Sequence, residues 1–198
     1  TFVSITNGII QGSAYGGGNG SPAIVNENTN ITVSGTTTIG SPSCSKKANC
    51  SLFGGGNAAA TGKDGTSKST VNLAGGHIYG NVYGGANTSV VKGDAIVNVA
   101  NSAVSENTIK APIMLDGTIF GGGEANASGS DTYDYSFISV TKSITVNLDA
   151  TNFSDINIKG SIFGSGNASS SSGTSNINIT KFGSDENPKK ITSIQRTD

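Results

Sequence analysis

The sequence predicts an all-β protein built as a right-handed parallel β-helix, a solenoid of about five to six rungs with three short strands in each. Three observations predict this fold class. A glycine phrase recurs five times, short runs of alternating apolar and polar residues lie between its copies, and no stretch has sustained helical periodicity. The alternative is a β-propeller, because four strands per blade also fit a period of about 40 residues.

The glycine phrase is an apolar residue and an aromatic residue followed by small residues and, in four copies, by asparagine. Its copies are SAYGGGN (13–19), SLFGGGN (51–57), NVYGGAN (81–87), TIFGGGE (118–124) and SIFGSGN (161–167). Corresponding positions are 38, 30, 37 and 43 residues apart, which is the range typical of solenoids and propellers. A fixed phrase at irregular spacing indicates a repeating unit whose connecting loops differ in length.

The shortest unit, STVNLAGGHIYGNVYGG (69–85), shows the order of the elements. Val71 and Leu73 alternate with polar residues, which is the period of a strand with one apolar face. The glycines at 75–76 predict a turn, and Gly80 separates two further short strands, since glycine adopts positive φ at the least cost. Three strands separated by glycine corners describe one turn of a three-sided coil. The three-strand unit and the 30-residue step favour the β-helix over the propeller.

The other units contain the same elements. First strands are predicted at FVSIT (2–6), NITVSG (30–35), AIVNVA (95–100), SITVNLDA (143–150) and NINIT (176–180). Second strands are predicted at GIIQG (8–12), TTTIG (36–40), KAPIMLDG (110–117) and DINIKG (155–160). The third strand is the start of the glycine phrase. The segments rich in serine, glycine and asparagine that follow the phrase are predicted to be the variable loops.

Stacking the units predicts columns of like residues. An aliphatic column, expected to face inward, contains Ala14, Leu52, Val82, Ile119 and Ile162. The neighbouring aromatic column contains Tyr15, Phe53, Tyr83, Phe120 and Phe163; its rings either pack in the interior or line an exposed face that stacks on sugars. A structural amide ladder is predicted for Asn19, Asn57, Asn87 and Asn167, because stacked asparagines hydrogen-bond to one another.

The composition limits the classes of partner and the location. The net charge is −1 and 13% of the residues are charged, so the chain favours neither nucleic acid nor an anionic membrane surface. No apolar stretch approaches the roughly 20 residues of a membrane-spanning helix, so no membrane insertion is expected. Residues 1–198 are predicted to form one β-helical repeat domain. Because the chain begins and ends within strand patterns, we interpret it as a fragment of a larger surface protein.

The two cysteines, Cys44 and Cys50, enclose a short polar loop. A local disulfide formed in an oxidising compartment is the favoured interpretation, and a reduced pair is the alternative. Zinc is not expected, because two thiols and the single histidine, His77, do not complete a ligand set.

The pattern GxIYGxVYGGxN at 76–87, with strands such as ITVNL at 144–148, resembles repeats of large bacterial cell-surface proteins classed as adhesins, which contain pectate-lyase-like right-handed β-helices. The resemblance covers nearly the whole chain. It implies an extracellular location, either secreted or on the bacterial cell surface. It also implies a non-enzymatic module that serves as adhesin or stalk and binds, or presents a site for, host glycans or extracellular proteins.

The sequence supports an enzymatic function less well than it supports an adhesin or stalk. A lyase of the pectate lyase type needs clustered carboxylates and a basic residue on the strands, whereas the single arginine is Arg196, near the end of the chain. The runner-up function is a polysaccharide-degrading enzyme, in the first place a glycoside hydrolase, which needs a pair of carboxyl groups. Its candidate acids are Glu124, Asp131 and Asp134.

The region 116–137 combines acids with aromatic residues. The favoured interpretation is that Glu124 caps the amide ladder and that the aspartates solvate a loop; a calcium site near Glu124 and a sugar-binding cleft are the alternatives. No other cofactor or metal is expected. The candidate ligand-binding residues are Tyr79, Tyr83, Glu124, Asp131, Tyr133, Asp134 and Tyr135.

Overall fold

The computed structural model describes residues 1–44, 47–100, 111–125, 138–150, 155–180 and 190–195. Apart from one short 3-10 helix, Lys47–Cys50, the regular structure in these ranges is β-strand. The predicted all-β class is therefore confirmed for this part of the chain. None of its helical structure is long and apolar enough to cross a membrane.

The first sheet receives one strand from each pass of the chain. Its six strands lie parallel and side by side in chain order. They are β1 (Phe2–Thr6), β4 (Thr29–Ser34), β7 (Ser67–Leu73), β10 (Gly93–Val99), β14 (Ile144–Asp149) and β17 (Ser175–Thr180). The register aligns like residues, so that Val97 lies between Val71 and Val146.

The second sheet receives two short strands from each pass. Its first row contains β2 (Ile9–Ile10), β5 (Thr38–Ile39), β8 (Gly76–Ile78), β11 (Ile113–Leu115) and the first half of β15 (Ile156–Phe163). Its second row contains β3 (Ala14–Tyr15), β6 (Leu52–Phe53), β9 (Val82–Tyr83), β12 (Ile119–Phe120) and the second half of β15, and β18 (Lys190–Gln195) pairs with β15. All these pairs are parallel. Propeller blades are antiparallel, so the propeller alternative is wrong for the described strands.

We call one pass of the chain through both sheets a rung. The chain returns into register twice more in each rung: at the last residue of the glycine phrase, where the sequence predicts the amide ladder, and once further along, which the sequence did not predict. Isolated parallel bridges join Asn19, Asn57, Asn87, Glu124 and Asn167 in one column, and Val25, Thr61, Val91 and Val140 in another. A two-stranded sheet of β13 (Ile138–Val140) and β16 (Ser170–Ser171) continues the second column. One aligned residue per rung is too short to produce a periodicity, which is why the positions of the second column were interpreted as loop.

The main apolar core lies between the two sheets. In β7, Ser69, Val71 and Leu73 are buried, whereas the alternating Thr70 and Asn72 face outward. The aliphatic column is buried as predicted, with Leu52, Val82, Ile119 and Ile162 at 0% exposure and Ala14 at 7%. Each large buried side chain contributes about 1.5–3 kcal/mol relative to exposure.

The glycines of the phrase are needed for close approach between rungs, and not for positive φ. The turn glycine Gly76 does have a positive φ, 98°. The phrase glycines instead lie against the backbone of the next rung: a Cβ on Gly54 would lie 2.5 Å from the carbonyl oxygen of Gly84, and a Cβ on Gly84 would lie 2.2 Å from that of Gly121. Any side chain there would collide with a carbonyl group that the sheet holds in place.

Cys44 and Cys50 form the predicted disulfide, with their Cα atoms 6.4 Å apart. Cys50 is buried, at 3% exposure. It packs closely on Gly40, where an added Cβ would lie 2.5 Å from the Cys50 Cβ. The disulfide therefore holds one end of its loop against the second sheet, directly after β5.

Candidate functional site

The aromatic residues of the glycine phrases form a continuous stack of rings. Successive centroids are 4.9, 4.6, 5.1 and 5.1 Å apart, and the rings lie within 9° of parallel, in the order Tyr15, Phe53, Tyr83, Phe120, Phe163. Phe53 and Tyr83 have no exposed surface, and Phe120 is 9% exposed. Of the two interpretations of this column, the structure supports the interior one. Tyr83 was a candidate ligand-binding residue; enclosed between two rings, it is not available to stack on a sugar, and we correct that assignment.

The asparagines that follow the phrases hydrogen-bond from rung to rung. Asn57 Nδ2 donates to Asn19 Oδ1, and Asn87 Nδ2 donates to Asn57 Oδ1, both at 2.8 Å. Asn167 Nδ2 donates to Glu124 Oε2 at 2.7 Å. Each amide donates towards the preceding rung, so this ladder has a single direction.

In the fourth rung, Glu124 occupies the position of the asparagine, and the donation from each rung to the preceding one stops there. It is 3% exposed, and its Oε2 accepts a hydrogen bond from the Tyr83 hydroxyl at 2.6 Å as well as the one from Asn167. A carboxylate lacks the amide N–H groups through which the asparagines of this ladder donate to the preceding rung. Accordingly, the buried Asn87 Oδ1 has no hydrogen-bond partner in the described part of the chain. Burial, followed by the nearby Glu124 carboxylate, raises the pKa of Tyr83, which keeps its hydroxyl protonated as a donor.

We expect Glu124→Gln to stabilise the protein by about 1 kcal/mol, because it adds a donor beside an unsatisfied acceptor. The amide oxygen can still accept from Tyr83 and Asn167, while the new N–H groups supply a donor of the kind that the asparagines of this ladder direct at the preceding rung. Urea denaturation at neutral pH measures the free energy of unfolding. The control Glu124→Met keeps the chain length but loses the acceptor, so we expect it to destabilise. A Gln variant no more stable than wild type would mean that Asn87 Oδ1 already has a donor.

Four candidate ligand-binding residues, Asp131, Tyr133, Asp134 and Tyr135, lie outside the described residues. In the described ranges no three His, Cys, Asp or Glu side chains are grouped to hold a metal ion. Of the remaining candidates, Glu124 and Tyr83 are buried, whereas Tyr79 is partly exposed.

Tyr79 belongs to a cluster on the outward face of the second sheet, which we call the outer cluster: His77, Tyr79, Asp116 and Lys159. Asp116 Oδ1 lies 3.2 Å from His77 Nε2 and 2.8 Å from Lys159 Nζ. Burial raises the pKa of Asp116, but contacts with Lys159 and His77 outweigh it and lower that pKa overall. The carboxylate is therefore charged at neutral pH.

Two rings lie beside this carboxylate. His77 and Tyr79 point to the same face of one strand because they are two residues apart, and their ring centroids are 4.0 Å apart with a tilt of 31°. The disulfide loop flanks them: a Cβ on Gly40 would lie 3.2 Å from the Tyr79 Cβ and 2.5 Å from the Cys50 Cβ. The outer cluster thus combines two rings packed against each other, a carboxylate close to two basic side chains, and an adjacent anchored loop.

Sequence reasoning did not identify the outer cluster. It interpreted His77 as a surface residue beside a turn, grouped Asp116 with the acids of the following region, and did not single out Lys159. A signal was nevertheless present, because Tyr79, Asp116 and Lys159 each directly precede a corner glycine. Parallel strands in register bring equivalent positions of successive units into one column.

A second amide ladder on the outward face of the first sheet was also missed. Its side chains are joined Nδ2 to Oδ1 at 2.9–3.0 Å in the order Asn30, Asn72, Asn98, Asn147, Asn178. The signal was the recurring asparagine between two apolar residues of the first strand, as in Asn72 of STVNL. This ladder joins the outer face of that sheet from β4 to β17.

Comparison with known protein families, curated proteins and solved structures finds no match to this chain. The geometry of its own residues therefore provides the evidence for its function.

Proposed function

We propose that this chain is a non-enzymatic module of a bacterial surface protein, a right-handed parallel β-helix that serves as adhesin or stalk and presents a site for host glycans or proteins. The observation that carries the proposal is the strand order. Six strands of the first sheet follow one another in parallel, in register and in chain order, and the second sheet follows the same sequence of rungs. Each rung stacks on the one before, which is the organisation of a solenoid.

The hand and the dimensions of this solenoid follow from general rules. Connections between parallel strands of one sheet are right-handed in nearly all proteins, which supports the right-handed form. Six strands spaced about 4.8 Å apart make a body roughly 25 Å tall. The two asparagine ladders add side-chain hydrogen bonds along that axis. Such a body can hold a binding surface at a fixed distance from the bacterial cell.

An extracellular location is supported by the disulfide. Disulfides persist in oxidising compartments and are rare in the cytosol, and Cys44 and Cys50 are bonded. The outward faces are polar through asparagine, threonine and serine, as in β4 with Asn30, Thr32 and Ser34. Neutral polar groups of this kind contact both saccharides and proteins through hydrogen bonds.

The position of Glu124 supports the non-enzymatic form of the proposal over the glycoside hydrolase. A catalytic carboxyl group must reach the substrate, whereas Glu124 is 3% exposed and is held by Tyr83 and Asn167. Its proposed role is therefore to join rungs.

The test uses the whole 198-residue chain on an array of glycans and extracellular matrix proteins, together with an assay for reducing ends released from a panel of polysaccharides. Selective binding without release of reducing ends is the expected result for an adhesin. Absence of both would favour the stalk. Release of reducing ends that is lost in Glu124→Gln would overturn the proposal in favour of the hydrolase.

A further inference from the structure

We propose that this chain associates with further copies of itself end to end, with the first rung of one copy stacked on the last rung of another. The interface would join the edge of β1 in one copy to the edge of β17 in its neighbour. In the described part of the chain, β1 pairs with β4 alone and β17 pairs with β14 alone. This inference goes beyond the proposed function, because it does not depend on a ligand.

The edge of β1 that faces away from β4 presents the backbone groups of alternate residues. In a parallel strand, the N–H and C=O groups of one residue point to the same side, and the side alternates from residue to residue. Asn30 N donates to Thr1 O at 3.1 Å, so Thr1 and every second residue after it direct their backbone groups at β4. The residues of β1 that direct theirs at the other edge are Phe2, Ser4 and Thr6. These are the residues with outward-facing side chains.

The edge of β17 that faces away from β14 presents the complementary set. Ile144 N donates to Thr174 O at 2.8 Å, so the backbone groups of Thr174 and every second residue after it face β14. The residues of β17 that face the other edge are Ser175, Ile177 and Ile179, which are in phase with the inward columns. Adjacent strands within the chain meet in the same way, because each strand directs the backbone groups of its inward positions at the following rung.

The apolar side chains of the two edges belong to the same columns. Following the register through the first sheet places Val3 and Ile177 in one inward column, and Ile5 and Ile179 in the next. The members of both columns in β4, β7, β10 and β14 are 0–1% exposed, whereas Ile179 is 37% exposed and the other three are only partly buried. Stacking β1 on β17 would cover all four and continue the core across the interface.

An outward polar column also continues across this interface. The register places Ser4 in the first rung and Asn178 in the last rung of the column that contains most of the second amide ladder. Asn178 Nδ2 donates to Asn147 Oδ1 at 2.9 Å, towards the preceding rung, as the other amides of that ladder do. The Oδ1 of Asn178 is thus in the position that accepts from a following rung. The hydroxyl group of Ser4 in the next copy can be that donor.

Neither edge has the features that normally prevent such pairing. Exposed edge strands in natural proteins usually contain charged side chains, proline or a bulge. Both β1 (FVSIT) and β17 (SNINIT) lack charged residues and proline and pair without a register shift, whereas the interior strands β7 and β10 contain Lys68 and Asp94. The first rung also exposes two large apolar side chains, Phe2 at 85% and Ile9 at 74%. This composition favours an end that another rung covers.

The interface joins two different surfaces and can therefore repeat. Two copies that met through the same β1 edge could not keep both the parallel direction of the strands and a shared inward face. Stacking β1 on β17 keeps both, as every strand pair of the first sheet does. A contact of this kind leaves one surface of each type unused at the ends, so further copies can add to form an open filament.

Analytical ultracentrifugation of the whole chain over a wide range of concentrations tests the inference. We expect the average mass to rise past that of a dimer without a plateau, and to return to that of the monomer on dilution. Ser4→Pro is expected to stay monomeric, because proline removes an N–H group at the outer edge of β1 and none that bonds to β4. The matched control Ser4→Ala keeps that N–H group and should associate within a few-fold of wild type. Unfolding curves establish that each variant is folded.

Mixing the variant with wild type identifies which edges meet, because Ser4→Pro keeps an intact β17 edge. An excess of Ser4→Pro should occupy the β1 edges of wild-type chains and shorten the assemblies to heterodimers. A wild-type chain that stays monomeric throughout would overturn the inference, as would a Ser4→Pro variant that assembles as readily as wild type. Assembly that stops at a dimer and excludes Ser4→Pro would indicate a contact between two β1 edges and would overturn the head-to-tail arrangement.

Discussion

Replacing Gly84 with alanine is expected to destabilise the protein by about 3 kcal/mol or more, the upper range for overpacking in a closely packed interior. The new Cβ would lie 2.2 Å from the carbonyl oxygen of Gly121 and 3.0 Å from a methyl group of Val97. The rungs cannot separate locally to relieve this contact, because Gly84 N donates to Phe120 O at 3.0 Å and Gly54 N donates to Tyr83 O at 2.9 Å. The clash must therefore break sheet hydrogen bonds on one side of the residue.

Gly12→Ala is the matched control for this experiment. An added Cβ at Gly12 meets no atom within 4 Å, and its φ is not in the left-handed region. Alanine there should leave the free energy of unfolding unchanged or raise it by up to about 1 kcal/mol, through the lower entropy of the unfolded chain. Urea denaturation of both variants provides the comparison. Equal stability of the two would show that the glycine phrase is not required by close packing of rungs.

The elements that the sequence predicted correctly are those whose signal is local. Alternation around Val71 and Leu73 identifies a strand with one buried face without reference to any other part of the chain. The aliphatic and aromatic columns followed from the position of each residue within its own phrase. The Cys44–Cys50 disulfide was predictable for the same reason, since its loop closes within a few residues.

The features that the sequence did not reveal depend on register between rungs. Asp116 and Lys159 are 43 residues apart, and loops of different length separate each from its neighbours in the column. Only after the second strands are placed in register do these two side chains and His77 meet. The sequence likewise did not reveal why the phrase requires glycine. A glycine that forms a corner and a glycine that packs under a neighbouring carbonyl group look identical in sequence.

The position of Glu124 shows how such register distinguishes between functional interpretations. From the sequence, the favoured interpretation is a residue that caps the amide ladder, and catalysis and calcium binding are the alternatives. In the structure it takes the place of an asparagine in the ladder, buried beside Tyr83. The outer cluster, on a different face, holds two partly exposed rings beside a charged carboxylate.

Tyr83→Ala is expected to destabilise the protein by about 3–5 kcal/mol, the range for removing a large buried aromatic side chain. Its ring has no exposed surface and stacks between Phe53 at 4.6 Å and Phe120 at 5.1 Å, so alanine would leave a cavity inside the stack. Its hydroxyl also donates to Glu124, and the loss would remove a donor from a buried carboxylate.

Two further variants separate the contribution of the Tyr83 ring from that of its hydroxyl group. Tyr83→Phe keeps the ring, which fits because the same column holds Phe53 and Phe120, and it should cost only about 1–3 kcal/mol for the lost hydroxyl donor. Tyr15→Ala removes a partly buried ring that stacks on Phe53 alone in the described chain, so it should cost less than Tyr83→Ala. Free energies of unfolding from urea denaturation compare the three variants. If Tyr83→Ala were no worse than Tyr83→Phe, the hydroxyl would carry the whole effect, and the ring stack would contribute nothing to joining the rungs.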